Sequence, residues 1–186
     1  KKKSDNYIDP AFSEYISSYT AGVISSGSAI RIILAHDAVD SSFIGRESTV
    51  NLFSFKPSLK GKTRWLDMRT IEFIPENRMA AGQIYDVDFY LSKLMSVSKE
   101  LERFSFSFQI MPQNFEIQID NVKPYVKTEL TRQRIEGVLN TADFAEGSEV
   151  ESMLTAQQSG KNLKVSWTHT SEGKQHMFIV EDVTRG

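Results

Sequence analysis

The sequence contains no cysteine, so disulfides, thiolate zinc sites and cysteine nucleophiles are all excluded within it. It has no apolar run approaching the ~20 residues a membrane-spanning helix requires. Neither charge is in excess: 22 Lys and Arg stand against 24 Asp and Glu, a net charge of −2. There is thus no basic field to gather nucleic acid, and nucleic acid is not expected as a partner. No signal peptide is visible, as in a cytosolic protein or in a mature or trimmed fragment. Gly-rich phosphate loops, GxSxG elbows and HExxH pairs are missing too. What remains is the composition of a folded chain. Its 186 residues, 40% hydrophobic and 25% charged, suffice for one large domain or two of about 90 residues.

The side-chain pattern is mostly of period two. Ile30, Ile32 and Leu34 share one strand face, as do Val50 and Leu52, while Ile71 and Phe73 flank Glu72. Tyr85, Val87, Phe89 and Leu91 point one way and Asp86, Asp88 and Tyr90 the other. The cleanest alternation sets Phe104, Phe106, Phe108 and Ile110 against Ser105, Ser107 and Gln109. Such runs describe antiparallel strands with one dry and one wet face. Turn signals at Ser26-Gly27-Ser28, Lys60-Gly61-Lys62, Pro75-Glu76-Asn77 and Ala81-Gly82 punctuate them, the rhythm of an all-β sandwich.

Residues 1–20 read as a tether and lead-in. Asp9-Pro10 could open a short helix carrying Phe12, Tyr15 and Tyr19 on one face, or the stretch could be an extended edge segment. Ser92–Glu102 suggests a helical turn between strands, with Leu94, Val97 and Leu101 on one side. Met111-Pro112-Gln113 marks a boundary, since proline removes a ladder donor and biases its predecessor to extended backbone. The expected domains are 21–111 and 112–186.

The second domain loosely repeats the first, offset by roughly a hundred residues. Ile32–Asp37 is echoed by Val138–Asp143, Gly61-Lys62 before Trp65 by Gly160-Lys161 before Trp167, and Phe73 by Phe178. Glu149–Gln158 departs from this, with Val150, Met153 and Leu154 at helical spacing. By the measure of the first half, the second needs roughly thirty more residues, so it is expected to be an incomplete sandwich with an unpaired edge.

The succession Gly22-Val23-Ile24-Ser25, Phe53-Ser54-Phe55-Lys56-Pro57, Gly61, Trp65, Arg69 to Pro75, Gly82-Gln83-Ile84-Tyr85, Phe89 to Leu94 and Phe106 to Gln109 resembles a bacterial Ig-like domain. In this order the words are similar to the N-terminal region of Bacteroidetes alpha-2-macroglobulin family proteins. Asn114-Phe115-Glu116 through Trp167 resembles the macroglobulin-like domain that follows there. The resemblance implies the non-catalytic, structural and docking end of an envelope protein that traps proteases, with no cofactor. Partners would be the remaining domains of a parent chain and, through it, target proteases. It further implies a periplasmic or outer-surface lipoprotein whose anchoring cysteine is not in this chain. With no cysteine, nothing here matches the family's thioester motif.

Several residues invite other readings. Asp86 and Asp88 lie ~6.5–7 Å apart on one strand face, a spacing that could suit a glycosidase pair, although an acidic solvent face accounts for it. His36-Asp37 with Asp40 could begin a metal site, and His169 and His176, flanking the Glu172 turn, could hold a cation. Trp65 and Trp167 read as core residues. A carbohydrate-binding or adhesive module, the alternative function, would need exposed aromatics such as Tyr19 or Tyr90 beside one of the tryptophans. No catalytic, cofactor-binding or metal residue is assigned.

Overall fold

Ile30, Ile32 and Leu34 turn inward from a strand whose Arg31 and Ile33 point out, and the same alternation runs from Arg103 to Ile110. It is this dry-and-wet pattern that builds the fold. The computed structural model describes residues 8–126 and 128–185 and divides between Met111 and Pro112 into two units. The chain is all-β and sandwich-like, with one short α-helix among the described residues.

In the first unit, β1 (Ile16–Tyr19), β3 (Ile30–Leu34), β6 (Thr70–Pro75) and β5 (Gly61–Trp65) form one sheet, in that order. The other sheet runs β2 (Gly22–Ile24), β8 (Arg103–Ile110), β7 (Ile84–Tyr90) and β4 (Phe53–Lys56). Every pairing is antiparallel except β2 with β8. The shared core includes Phe53, Phe73, Phe89, Phe104, Phe106 and Phe108. Burying each such side chain contributes roughly 1.5–3 kcal/mol. Phe12 and Tyr19 meet the Phe104 ring edge-on, each with centroids 5.0 Å away, the arrangement the ring quadrupoles favour.

Three expectations change here. The lead-in expected over 1–20 belongs to the sandwich from Pro10 onward, and residues 1–7 of that expected tether lie outside the described residues. Both readings left open for it occur in succession. Asp9 caps a 3-10 turn at Pro10–Glu14, its Oδ1 accepting from the Ala11 N–H at 2.9 Å, and β1 follows with Ile16 buried. Val50 and Leu52 do not alternate in a strand: β4 begins at Phe53, Leu52 is buried beside it, and Val50 is exposed. The helical turn over Ser92–Glu102 resolves into two 3-10 turns, Leu91–Lys93 and Lys99–Leu101, tucked in by Leu91 and Leu101.

The second unit has one four-stranded antiparallel sheet, ordered β13 (Val165–His169), β14 (Gln175–Thr184), β10 (Glu129–Thr141) and β9 (Phe115–Val126). Helix α1 (Gly147–Met153) and the hairpin of β11 (Ala156–Gln158) and β12 (Lys161–Leu163) complete it. The Gln158 side-chain amide exchanges two hydrogen bonds with the Thr184 backbone, at 2.6 and 2.7 Å, fixing that hairpin to the end of β14. The expected helical stretch 149–158 is thus helix as far as Met153 and strand from Ala156. The two Gly-Lys pairs also differ: Gly61-Lys62 lies in the tryptophan-bearing strand, whereas Gly160 turns the preceding hairpin at φ 74°.

Candidate functional site

The cross-strand register places Arg31, Glu72 and Arg64 side by side on the outer face of the first sheet. Glu72 is buried there. Its two carboxylate oxygens accept from Arg31 Nε at 2.9 Å and from Arg64 at 2.8 Å. Burial pushes the carboxyl pKa up, and the two guanidinium hydrogen bonds outweigh it, so the net shift is downward. Both arginines are committed to this clasp, which ties three strands together.

The carboxylates singled out by spacing do not converge. Asp86 is exposed, while Asp88 accepts from Ser105 Oγ at 2.5 Å with Arg103 3.8 Å away. Asp37 pairs with Arg69 at 3.5 Å, and Asp40 caps the 3-10 turn Ser41–Phe43 through its Oδ1 and the Ser42 N–H at 2.9 Å. Those hydrogen bonds lower the Asp40 pKa. His36, Asp37 and Asp40 are not among any group of three that could hold a metal ion in the described residues.

His169 and His176 do meet, across β13 and β14, with their Nδ1 atoms 2.9 Å apart. Glu172 is not the third member. Glu151, on α1, reaches His169 Nε2 at 3.0 Å from the opposite side of the ring. A carboxylate on the far nitrogen orients an imidazole and does not join a cation between the two Nδ1 atoms. No group of three or more His, Asp or Glu suited to a metal occurs among the described residues. His176 is wholly buried and its Nε2 has no hydrogen-bond partner among the described residues. Burial, then the neighbouring His169, lowers its pKa, against the pull of the Gly173 carbonyl. Glu151 was beyond sequence reasoning, since neither its helix nor its distance in sequence marks it as a histidine partner.

The aromatics are mostly interior. Trp65 is buried, and Trp167 is half-buried between His169 and Phe178, with centroids 6.0 and 5.4 Å away. Tyr19 packs on Phe104 and Phe106, and the Tyr90 ring is covered by the Lys93 ammonium at 4.5 Å. The flat exposed platform of aromatics that a saccharide module would use is not formed by these residues.

Two open surfaces stand out instead. In the first unit a cleft of about 580 Å³ lies between β4 and β5, walled by Ser48, Asn51, Ser54, Thr63 and Lys60 and floored by Phe53, Phe55 and Phe73. In the second unit, Phe115, Ile117 and Ile119 share a sheet face with Leu139 and Phe178. Leu139 and Phe178 are buried, but on β9 the same face is open, with Phe115, Ile117 and Ile119 exposed by 51%, 42% and 55%.

No family model matches the chain, and no curated protein matches it. Among solved structures it is similar to an L,D-transpeptidase from Mycobacterium tuberculosis H37Rv, at 10% identity and a TM-score of 0.36, over 92% of this chain and 77% of that one. It is similar at the same identity and score to L,D-transpeptidase 3 from Mycobacterium tuberculosis in complex with a faropenem-derived adduct, over 88% of this chain and 60% of that one. The chain spans less than two thirds of the length of that second protein. Likenesses this slight carry no weight for function.

Proposed function

We propose that this chain is a non-catalytic structural and docking module from the N-terminal region of an alpha-2-macroglobulin-like protein that traps proteases at the cell envelope. The observation that carries the reading is where the ionisable groups are spent. Glu72 holds two arginines across three strands, Asp40 caps a turn, Asp88 takes a serine hydroxyl, and Glu151 holds His169. Charged groups used in this way brace a scaffold, and the surfaces left open are suited to association.

The family part of the proposal rests on the ordered resemblance of strand and turn words described above, together with the tandem arrangement of two β units. In that reading the partners are the other domains of a parent chain and, through it, proteases. The setting is a lipid-anchored envelope protein whose anchor is outside this chain. The decisive experiment is to sequence the gene downstream of the Gly186 codon. A long open frame containing further sandwiches and a protease-sensitive bait segment supports the proposal. A stop codon directly after Gly186 overturns it.

A further inference from the structure

The two lateral sides of the first unit are built differently. On one side β1 and β2, joined through Thr20 and Ala21, edge both sheets with a single stretch of chain. On the other side the edges are β5 and β4, and between them lies the 580 Å³ cleft. The hydrogen-bond register says which backbone groups face it. The Tyr90 N–H donates to the Leu52 carbonyl at 2.9 Å, so Leu52, Ser54 and Lys56 turn their polar groups towards β7. Phe53 and Phe55, one step out of phase, turn theirs to the open edge.

Across the cleft, Lys60 accepts from the Glu76 N–H at 2.9 Å, and Lys62 therefore pairs with Ile74, which leaves Gly61 facing outward. Further along β5, Ser48 already occupies the Thr63 carbonyl at 2.7 Å and Gly45 that of Trp65 at 2.8 Å. The neighbouring segment thus covers one end of the β5 edge and stops short of Gly61. No described backbone group bonds to the outward edge of β4.

We propose that this cleft binds an extended peptide by strand addition to β4. The Phe53 and Phe55 amides and carbonyls recur at about 6.6 Å, the two-residue repeat of an extended chain. Such a row is matched by another backbone and by little else. The ligand is a segment of about four or five residues with an aliphatic or aromatic side chain directed at Phe55 and Phe73, whose centroids are 4.5 Å apart. Phe53 and Phe73 are buried below the surface, so the floor offers a pocket for a side chain and no flat face for a sugar ring. The inference stands apart from the family reading, because its test contains neither a protease nor a parent chain.

The test uses the whole chain and a blocked heptapeptide of alternating threonine and valine around a central phenylalanine, with a lysine at each end. Amide hydrogen exchange is followed by NMR at millimolar peptide. Exchange of the Phe53 and Phe55 amides should slow by about tenfold when the peptide stands near ten times its dissociation constant. The same peptide N-methylated at alternate residues should leave both rates unchanged. Absence of slowing at Phe53 and Phe55 overturns the proposal, and so does equal slowing by the N-methylated peptide. Slowing of the same amides by cellohexaose, with none by the heptapeptide, replaces it with a saccharide site.

Discussion

His169 and His176 place their Nδ1 atoms 2.9 Å apart, so one of the two nitrogens must carry the proton that joins them. Glu151 decides which. Its carboxylate accepts from His169 Nε2, leaving His169 Nδ1 bare to accept from the Nδ1–H of His176. Protonating both rings would aim two N–H groups at each other. Because the folded His176 pKa lies below its ordinary 6.5, the unfolded chain binds the proton more readily. The stability is therefore complete above about pH 6.5 and is lost as the pH falls towards the depressed folded value. The two tryptophans, Trp65 and Trp167, lie in different units. Urea unfolding followed by Trp167 fluorescence in a Trp65→Phe background should show the second unit weakening below neutral pH, and His176→Phe should flatten that dependence.

Glu72→Gln keeps the shape of the clasp and removes its charge. Its two partners are about half exposed, which reduces what the charge contributes. The first unit should lose about 1–3 kcal/mol at neutral pH. The wild-type advantage is present above the ordinary carboxyl value of 4.5 and disappears as acid protonates Glu72 through its lowered folded pKa. Urea midpoints of the two proteins should therefore differ at neutral pH and converge in acid.

Gly137 sits directly opposite Phe178, whose ring crosses it. A Cβ there would come within 2.5 Å of both the Gln118 carbonyl and the Phe178 ring. Gly137→Ala should cost about 1–3 kcal/mol, the usual range for overpacking. Phe178→Leu in the same chain should recover part of it, because the ring tip is one of the two atoms in the way. A double-mutant cycle on thermal midpoints reads this coupling.

The two tryptophans should differ. Trp65, buried between the sheets, should cost about 3–5 kcal/mol when truncated to alanine. Trp167, half open on the edge strand β13, should cost less than Trp65. Urea unfolding of each variant, followed by backbone amide NMR signals of the unit that carries the substitution, separates the two losses.

The alternation from Phe104 to Ile110 made that strand legible, because a two-faced sheet writes its pattern into neighbouring residues. The Asp9-Pro10 start was legible for the same local reason. The clasp on Glu72 was not, since it is assembled by register from three strands, and the only local sign was a charged residue between Ile71 and Phe73. Glu151 beside His169 was hidden in the same way by the helix that carries it. The open edge of β4 is a property of what does not pair, which no alternation records. The histidine pair was anticipated because a short turn joins its strands, but its third member was sought in that turn and lies on α1.

The passage of β1 into β2 has a mechanical consequence. A pull on the N-terminal end reaches both sheets within a few residues, because the same stretch edges each of them. β2 runs parallel to β8, with Gly22 beside Phe108 and Ile24 beside Ile110. Tension between the N-terminus and the chain leaving β8 at Met111 meets the β1–β3 pairing first and then loads the β2–β8 hydrogen bonds together in shear, where a hairpin would unzip one rung at a time. The first unit is strapped to carry load along the direction in which its chain enters and leaves.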